Sequence, residues 1–381
     1  MVDKSINSVK ADHCYGCELC EYVCSTRAIS IVSDEEGFLR PLVNSSLCLN
    51  CGKCIMLCPV DKHNVLKQEN HNKKVFAVSL NNMDYLLKSS SGGAGYALMK
   101  AGIENGYRVF GVSYSTDYRS CHYSFSDNYR GISSFVGTKY IQATKKDIYK
   151  KLQESINEGK KVVFVGLPCE VAAVKSFLRN SSVNIIFVEL ICHGVTSPKV
   201  AEQYVEKMEK KKGEIKWMTI RGKKKGWTPG FLEILFKSGD SFSKIFDSTE
   251  YGFAFRNFSR PSCYCCEYKG DNRVGDITIG DYWGASENDS YWNKYGVSVV
   301  FVHSERGMSL FNSIKGAKIT EITYDKAIRN NSLINKPRDV GIRAEYANTF
   351  IRGDIFTARK KNESIKGKMV RLLRNIYYVF R

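Results

Sequence analysis

The chain has 381 residues, of which 43% are hydrophobic and 25% are charged, and its formal net charge at neutral pH is +18. This length and composition predict two or three globular domains and exclude a mainly disordered protein. The first residues do not resemble a signal peptide and no uncharged apolar run reaches about 18 residues, so we expect a soluble, cytoplasmic protein.

The first sixty residues carry two cysteine groups with the same spacing, C-x2-C-x2-C-x3-C, and Pro59 follows the second group. This spacing is typical of bacterial ferredoxins with two 4Fe-4S clusters, in which the fourth cysteine of each group binds the other cluster. Zinc sites use two cysteine pairs with a long insertion, so zinc is disfavoured. The predicted ligand sets are Cys14, Cys17, Cys20 and Cys58 for one cluster, and Cys48, Cys51, Cys54 and Cys24 for the other.

A polar stretch from Lys67 to Lys74 reads as a linker, and a strand-helix-strand pattern follows it. The strand covers Val75–Leu80, a glycine-rich turn covers Ser89–Gly95, and the next strand starts at Arg108. One face of the predicted helix carries Ala94, Ala97, Leu98 and Ala101.

A second unit of this kind has strands at Lys161–Cys169 and Asn184–Gly194 around a helix that ends near Arg179. Such buried strands joined by a helix indicate parallel pairing. A helix should start after Ser197 and run to about Lys212, and a hairpin should turn at Ser238-Gly239-Asp240.

We therefore predict an α/β (α+β) fold, with a small bacterial-ferredoxin-like domain followed by a mixed, partly parallel sheet flanked by helices. The predicted domains are residues 1–66, 75–335 and 336–381. The last is a basic amphipathic tail, whose apolar face carries Ile365, Met369, Leu372, Leu373 and Ile376. This face is expected either to pack on its own domain or a partner, or to lie on an anionic membrane surface.

Seven strings in order resemble the family of the beta subunit of coenzyme F-420 hydrogenases and dehydrogenases. They are SSSGG at Ser89, TKYIQ at Thr138, VGLPCE at Val165, CHG at Cys192, RGKKKGW at Arg221, RPSCYCC at Arg260 and DITIGDYWG at Asp276. The resemblance implies an iron-sulfur flavoprotein that passes electrons between clusters, FAD and a deazaflavin or other two-electron partner.

The same strings supply candidate flavin contacts. A glycine-rich turn before a helix offers free amides to a phosphate, although a plain capped turn has the same sequence. Lys139, Tyr140 and Gln142 could meet the flavin or belong to an ordinary strand, while Lys223 and Trp227 lie in an anion-binding loop or a solvated hairpin. With the turn residues, the candidates are Ser90, Ser91, Gly92, Gly93, Lys139, Tyr140, Gln142, Lys223 and Trp227.

Four further cysteines are expected to hold a third 4Fe-4S cluster. Cys169 and Cys192 each follow a strand of one βαβ unit, so both should emerge at the same sheet edge. Cys263 and Cys266 supply a close pair, and Cys265 is a rival within it. The alternative is four buried structural cysteines. His193 follows Cys192, but a lone histidine is more often structural.

From these residues we predict an oxidoreductase that contains clusters and FAD and works with a redox partner protein or a small-molecule donor or acceptor. The alternative is a non-catalytic ferredoxin-like subunit that docks on another enzyme. The charge of +18 calls for an acidic partner. We find no nucleic-acid-binding signature and expect no specific nucleic acid as a partner. Peripheral contact with the inner membrane face, through the tail, is a further expectation.

Overall fold

A computed structural model describes residues 3–60, 74–179, 184–270, 273–331, 334 and 337–379. Of the predicted linker, only Lys74 lies within the described residues. The predicted boundary between the first two domains therefore falls outside them.

The N-terminal segment is built from short elements that bring its two cysteine groups together. Its helices are α1 (Leu19–Tyr22) and α2 (Lys53–Met56), and its strands are β1 (Ile29–Ser33) and β2 (Leu39–Val43). The strands pair antiparallel. Helix α2 begins after Gly52, whose φ of 76° suits a residue without a Cβ.

An eight-stranded mixed sheet forms the centre of the rest of the chain. Its strands in chain order are β3 (Lys74–Leu80), β4 (Tyr107–Tyr114), β5 (Cys121–Ser126), β6 (Lys161–Gly166), β7 (Ile185–Leu190), β11 (Ile277–Asp281), β12 (Ser298–Val302) and β13 (Ala317–Ile322). The spatial order is β13-β3-β12-β11-β7-β6-β4-β5. Only the central pairs β4–β6, β6–β7 and β7–β11 are parallel. The predicted fold class is confirmed.

The remaining strands form a separate three-stranded antiparallel sheet, β8 (Ile215–Gly222), β9 (Phe231–Phe236) and β10 (Ser241–Ile245). Strands β9 and β10 are the predicted hairpin, and their pairing confirms it.

Helices cover the large sheet and extend beyond it. They are α3 (Met83–Lys88), α4 (Ala94–Glu104), α5 (Tyr129–Ile132), α6 (Ile148–Asn157), α7 (Pro168–Leu178), α8 (Pro198–Lys212), α9 (Glu250–Asn257), α10 (Glu305–Asn312), α11 (Tyr324–Ile328), α12 (Arg343–Ile351), α13 (Ile355–Asn362) and α14 (Ile365–Val379). Helix α8 begins as predicted, because the Ser197 hydroxyl accepts a hydrogen bond from the Lys199 amide and Pro198 occupies the first turn. The predicted apolar face of α4 is buried.

The N-terminal segment shares a hydrophobic core with the large sheet. Leu19, Phe38 and Leu57 lie in the same buried cluster as Phe110 and Phe164 of β4 and β6. Burial of each such side chain stabilises the fold by about 1.5–3 kcal/mol. The segment is therefore packed against the sheet through apolar side chains as well as polar contacts.

The tail ends in α14, whose apolar residues are exposed rather than packed against the domain. Ile365 is 79% exposed and Leu373 is 62% exposed. Among the described residues, no helix is long and apolar enough to cross a membrane.

Candidate metal and cofactor sites

The first predicted ligand set surrounds a cavity in the N-terminal segment. Cys14, Cys17, Cys20 and Cys58 all line a space of about 300 Å³, and Cys54 borders it as well. The fourth cysteine of the second group is thus brought to the first three of the first group, as the ferredoxin spacing predicts. Four thiols around one cavity are a donor set that suits a cubane cluster.

The second ligand set lies closer to the surface. Cys24 and Cys54 pack in the same small hydrophobic cluster, whereas Cys51 is exposed. The Cys24 sulfur accepts a hydrogen bond from the Ala28 amide over 3.3 Å. Such amide bonds to sulfur are a means by which proteins adjust cluster potentials.

The third predicted set also comes together. Cys169 lies in the first turn of α7, Cys192 follows β7, and the pair Cys263 and Cys266 lies in the loop after α9. All four line one small cavity, whereas Cys265 is exposed and its sulfur lies 3.8 Å from the Ser262 carbonyl oxygen.

This cavity is only about 20 Å³ in volume, which is room for about one water molecule. The four side chains would have to move apart to admit a cluster. Among the described residues, no group of three His, Cys, Asp or Glu side chains is arranged to hold a single metal ion. A cubane differs from such a site because each thiolate binds a separate iron.

The charges around the third set favour an anionic group. Arg260 is buried, and its guanidinium donates to the Ser262 hydroxyl over 2.9 Å, to the Tyr15 carbonyl and to the Cys169 sulfur over 3.6 Å. Within the described part of the chain, no carboxylate forms an ion pair with it. A buried cation normally has an anionic partner, and a cluster bound by four thiolates would supply one.

Burial also affects the thiols themselves. It raises the pKa of Cys192 to about 12. Without a metal this thiol therefore stays protonated at neutral pH, and metal binding would have to displace its proton.

A second large cavity, of about 270 Å³, lies at the carboxyl edge of the parallel strands, where open α/β sheets bind ligands. Of the nine candidate flavin contacts, the residues that line it are Ser90, Ser91, Gly93, Lys139 and Tyr140. Gly93, with φ of 87°, lies directly before α4. The amino end of this eleven-residue helix therefore opens on the cavity and could hold a phosphate.

Gly92 packs against the backbones of two neighbouring strands. A Cβ at this position would lie 2.1 Å from the Val78 carbonyl oxygen and 2.5 Å from the Ser298 amide nitrogen. The glycine is required because the turn passes close to the backbones of β3 and β12. It does not belong to the cavity lining.

Two lining residues from the TKYIQ string are largely occupied by protein contacts. The Lys139 ammonium lies within hydrogen-bonding distance of four carbonyl oxygens from Ser134–Gly137, at 2.8–3.3 Å, and burial lowers its pKa to about 7. Tyr140 stacks on Phe255 with ring centroids 3.9 Å apart. One face of the Tyr140 ring is thereby covered.

Gln142 lies between the N-terminal segment and the sheet. Its side-chain oxygen accepts a hydrogen bond from the Leu39 amide over 2.9 Å, and its amide nitrogen lies 3.4 Å from the Gly16 carbonyl oxygen. It is buried outside the cavity lining. The structure therefore places it in a contact between the N-terminal segment and the residues beside the sheet.

The basic loop candidates lie close to Asp281, which belongs to the DITIGDYWG string. Arg221 donates to both Asp281 oxygens over 3.2 Å and to the Ser90 carbonyl over 2.9 Å. Trp227 donates to Asp281 over 3.3 Å, and Lys223 donates to the Ser91 carbonyl over 2.6 Å. Burial lowers the pKa of Lys223 to about 7.

His193 separates the large cavity from the third cysteine set. Its ring lines both cavities, and its Nδ1 atom is buried without a hydrogen-bond partner among the described residues. Burial, followed by the positive charge of Arg338, lowers the pKa of His193 to about 3, so the ring is neutral. Tyr15 plays a similar separating role, because it lines both the N-terminal cavity and the third cysteine set.

These features define an iron-sulfur electron-transfer protein with a ferredoxin-like segment mounted on an α/β domain. Residues 13–62 match the 4Fe-4S dicluster domain family. Residues 159–326 match the family that describes the C terminus of the beta subunit of coenzyme F420 hydrogenase/dehydrogenase. The predicted resemblance is confirmed: an N-terminal stretch matches the dicluster family and a later stretch matches this beta-subunit family.

Among solved structures, a chain from a structure of the F420-reducing [NiFe] hydrogenase complex of Methanosarcina barkeri is similar to this protein. The alignment covers 78% of this chain and 92% of that chain, at 17% sequence identity and a TM-score of 0.48. No curated protein matches this chain.

Proposed function

We propose that this protein is an iron-sulfur flavoprotein oxidoreductase that transfers electrons between 4Fe-4S clusters, FAD and a two-electron partner. The partner would be a deazaflavin or another small substrate. The observation that carries the proposal is the succession of three cavities with shared walls. Tyr15 lines both the N-terminal cavity and the small cavity of the third cysteine set. Cys192 and His193 line both that small cavity and the large cavity at the sheet edge.

In this proposal the eight N-terminal cysteines hold two clusters, and Cys169, Cys192, Cys263 and Cys266 hold a third. Arg260 balances the negative charge of the third cluster. A bound flavin would supply the exchange between one-electron and two-electron chemistry. Backbone amides at Ser91 and Gly93 would bind its phosphates, and the pair Arg221 and Asp281 would keep the loop before α4 in position.

The test is to quantify iron, sulfide and flavin after anaerobic purification of the full chain. We expect about twelve irons per chain for three clusters, against about eight for two. Cys266→Ser should lose about four irons, whereas Cys265→Ser, the matched control, should lose none. Equal iron in both variants and the wild type would contradict the third cluster.

Flavin content separates the two functional candidates. A fully metallated protein that takes up no FAD would instead be a ferredoxin-like subunit docking on another enzyme. The shared walls between cavities favour the flavoprotein, because the large cavity directly adjoins the third cysteine set.

We also propose a cytoplasmic location with peripheral contact to an anionic membrane through α14. Two observations support this proposal: the apolar face of the helix is exposed, and no acidic residue lies between Ile365 and Val379. The basic residues of this stretch are Lys366, Lys368, Arg371 and Arg374.

A further inference from the structure

The loop and short helix that carry the second cysteine group have an exposed apolar surface. Leu49 is 73% exposed, Met56 is 50% exposed and Leu47 is 48% exposed. These three residues flank Cys51 in the chain, and Cys51 is itself exposed. We call Leu47, Leu49 and Met56 the Cys51 patch. All three lie close to Cys51 in the chain, and exposed apolar patches mark protein interaction sites.

Positive charge borders this patch. Lys53 is separated from Cys51 only by Gly52, and the Lys4 side chain lies beside that glycine, because a Cβ on Gly52 would be 3.7 Å from the Lys4 Cβ. On another side, the Arg179 guanidinium lies 3.5 Å from the Met56 sulfur. All three cationic side chains belong to exposed residues.

Negative charge is scarce in the same region. From Gly37 to Val60 the chain contains Lys53 and also Arg40, which pairs with Asp34, but no Asp or Glu; the next acidic residue in the chain is Asp61. Asp3 lies next to Lys4, and its carboxylate accepts a hydrogen bond from the Ser5 amide over 2.7 Å. The surroundings of the patch are therefore basic, in keeping with the net charge of +18.

We infer that the Cys51 patch is the docking surface for an acidic one-electron carrier protein of the ferredoxin class. The inference rests on the proposed function. It adds the place on the surface at which electrons enter or leave the chain. Apolar contact would bring the carrier's redox centre close to the cluster of Cys48, Cys51, Cys54 and Cys24. The basic border would attract the carrier and orient it. Among the cysteines proposed as cluster ligands, Cys51 is the exposed one.

Such an encounter should be weak and transient, as small redox interfaces are. Basic rim residues should therefore act mainly on the association rate, and added salt should slow it. A lipid surface fits α14 better than it fits this patch. The patch has only three apolar side chains, and it lies close to a proposed redox site.

The experiment uses the full-chain, fully metallated protein and a reduced, acidic plant-type [2Fe-2S] ferredoxin as the probe. The second-order rate of electron transfer from this ferredoxin to the clusters is measured anaerobically by stopped flow at several salt concentrations. We expect Leu49→Asp to slow the reaction about tenfold, and Lys53→Glu to slow it to a similar extent and to weaken its salt dependence.

The control is Ile319→Asp, at a partly exposed apolar position on β13, and it should react like the wild type. Strand β13 is the edge of the large sheet opposite to β5. Reduction by dithionite, with the visible spectrum of the clusters, checks that every variant is folded and metallated.

Rates in Leu49→Asp and Lys53→Glu that equal the wild-type rate would overturn the inference. A change in the oligomeric state of Leu49→Asp without a change in rate would also overturn it and make the patch a contact between copies of this chain. Dithionite-reduced wild type that fails to reduce its own flavin would contradict the proposed function, but that result is independent of ferredoxin docking.

Discussion

Arg260 is a buried cation beside the third cysteine set. It connects two sites, since its guanidinium contacts the Cys169 sulfur and the carbonyl of Tyr15, which lines the N-terminal cavity. A reduced cluster carries one more negative charge than an oxidised cluster. A buried cation beside it therefore stabilises the reduced state and raises the reduction potential.

If the proposed third cluster is bound, we expect Arg260→Gln to make its midpoint potential more negative, while Arg260→Lys, which keeps the charge, should shift this potential less. A redox titration followed by electron paramagnetic resonance measures this potential. Iron content must be determined in parallel, because the substitution also removes contacts to Ser262 and Tyr15. Full iron content with an unchanged potential in Arg260→Gln would contradict the role assigned to this charge.

Helix α14 has an apolar face that the rest of the described chain does not cover. Arg371 pairs with Glu363 of the preceding turn, and Lys225 donates to the carbonyl of Tyr378, so the helix is tethered at polar points. Its apolar face remains exposed along its length. An amphipathic helix of this kind binds an anionic bilayer by burying its apolar face and placing its basic residues near the headgroups.

Binding to vesicles tests this element directly. The wild type should sediment with vesicles that contain phosphatidylglycerol and much less with pure phosphatidylcholine, because the basic face needs an anionic surface. Leu372→Asp combined with Leu373→Asp should abolish the difference, whereas Val340→Asp, at an exposed position before α12, should leave it intact. Failure of the wild type to bind anionic vesicles would instead favour a protein partner for α14.

At the scale of the whole molecule, buried polar contacts fasten the N-terminal segment to the sheet domain. The Lys145 amide donates to Glu18 over 3.0 Å and the Lys145 ammonium lies 3.4 Å from the Gly16 carbonyl oxygen. Within the sheet domain, the same ammonium lies 2.9 Å from a Glu170 oxygen. Tyr149 donates to the Cys17 carbonyl over 2.7 Å, and Ser176 to the Leu57 carbonyl over 2.8 Å. Together with the shared core, these contacts predict that the two parts unfold as one unit.

Lys145→Met should destabilise the protein by about 3–5 kcal/mol, because it leaves the buried Glu170 carboxylate without its cationic partner. Lys146→Met, a change at the exposed neighbouring residue, should have an effect within about 0.5 kcal/mol. Anaerobic denaturant unfolding, followed by far-UV circular dichroism and by the visible absorption of the clusters, measures both. Two separate transitions in the wild type would show that the segment unfolds independently.

Much of the candidate site could be predicted from the sequence because its signals are local. Cluster ligands in a ferredoxin are spaced by the chain itself, so C-x2-C-x2-C-x3-C identifies them without a structure. Strand and helix periodicity likewise located β6, α7 and β7, and the parallel pairing of β6 with β7 followed from their order. That pairing was sufficient to predict that Cys169 and Cys192 would lie at one sheet edge.

Only the tertiary structure decided which side chains face the cavities. Gln142 bonds to Leu39 and Gly16, Gly92 contacts the backbone of β3, and Asp281 gathers Arg221 and Trp227 around one carboxylate. The sequence could not show these partners, because the paired residues lie tens to more than a hundred positions apart in the chain. They meet only because of the spatial order of the strands in the sheet. The sequence thus determined the chemistry of the ligands. The packing of distant elements determined their surroundings and the succession of the three cavities.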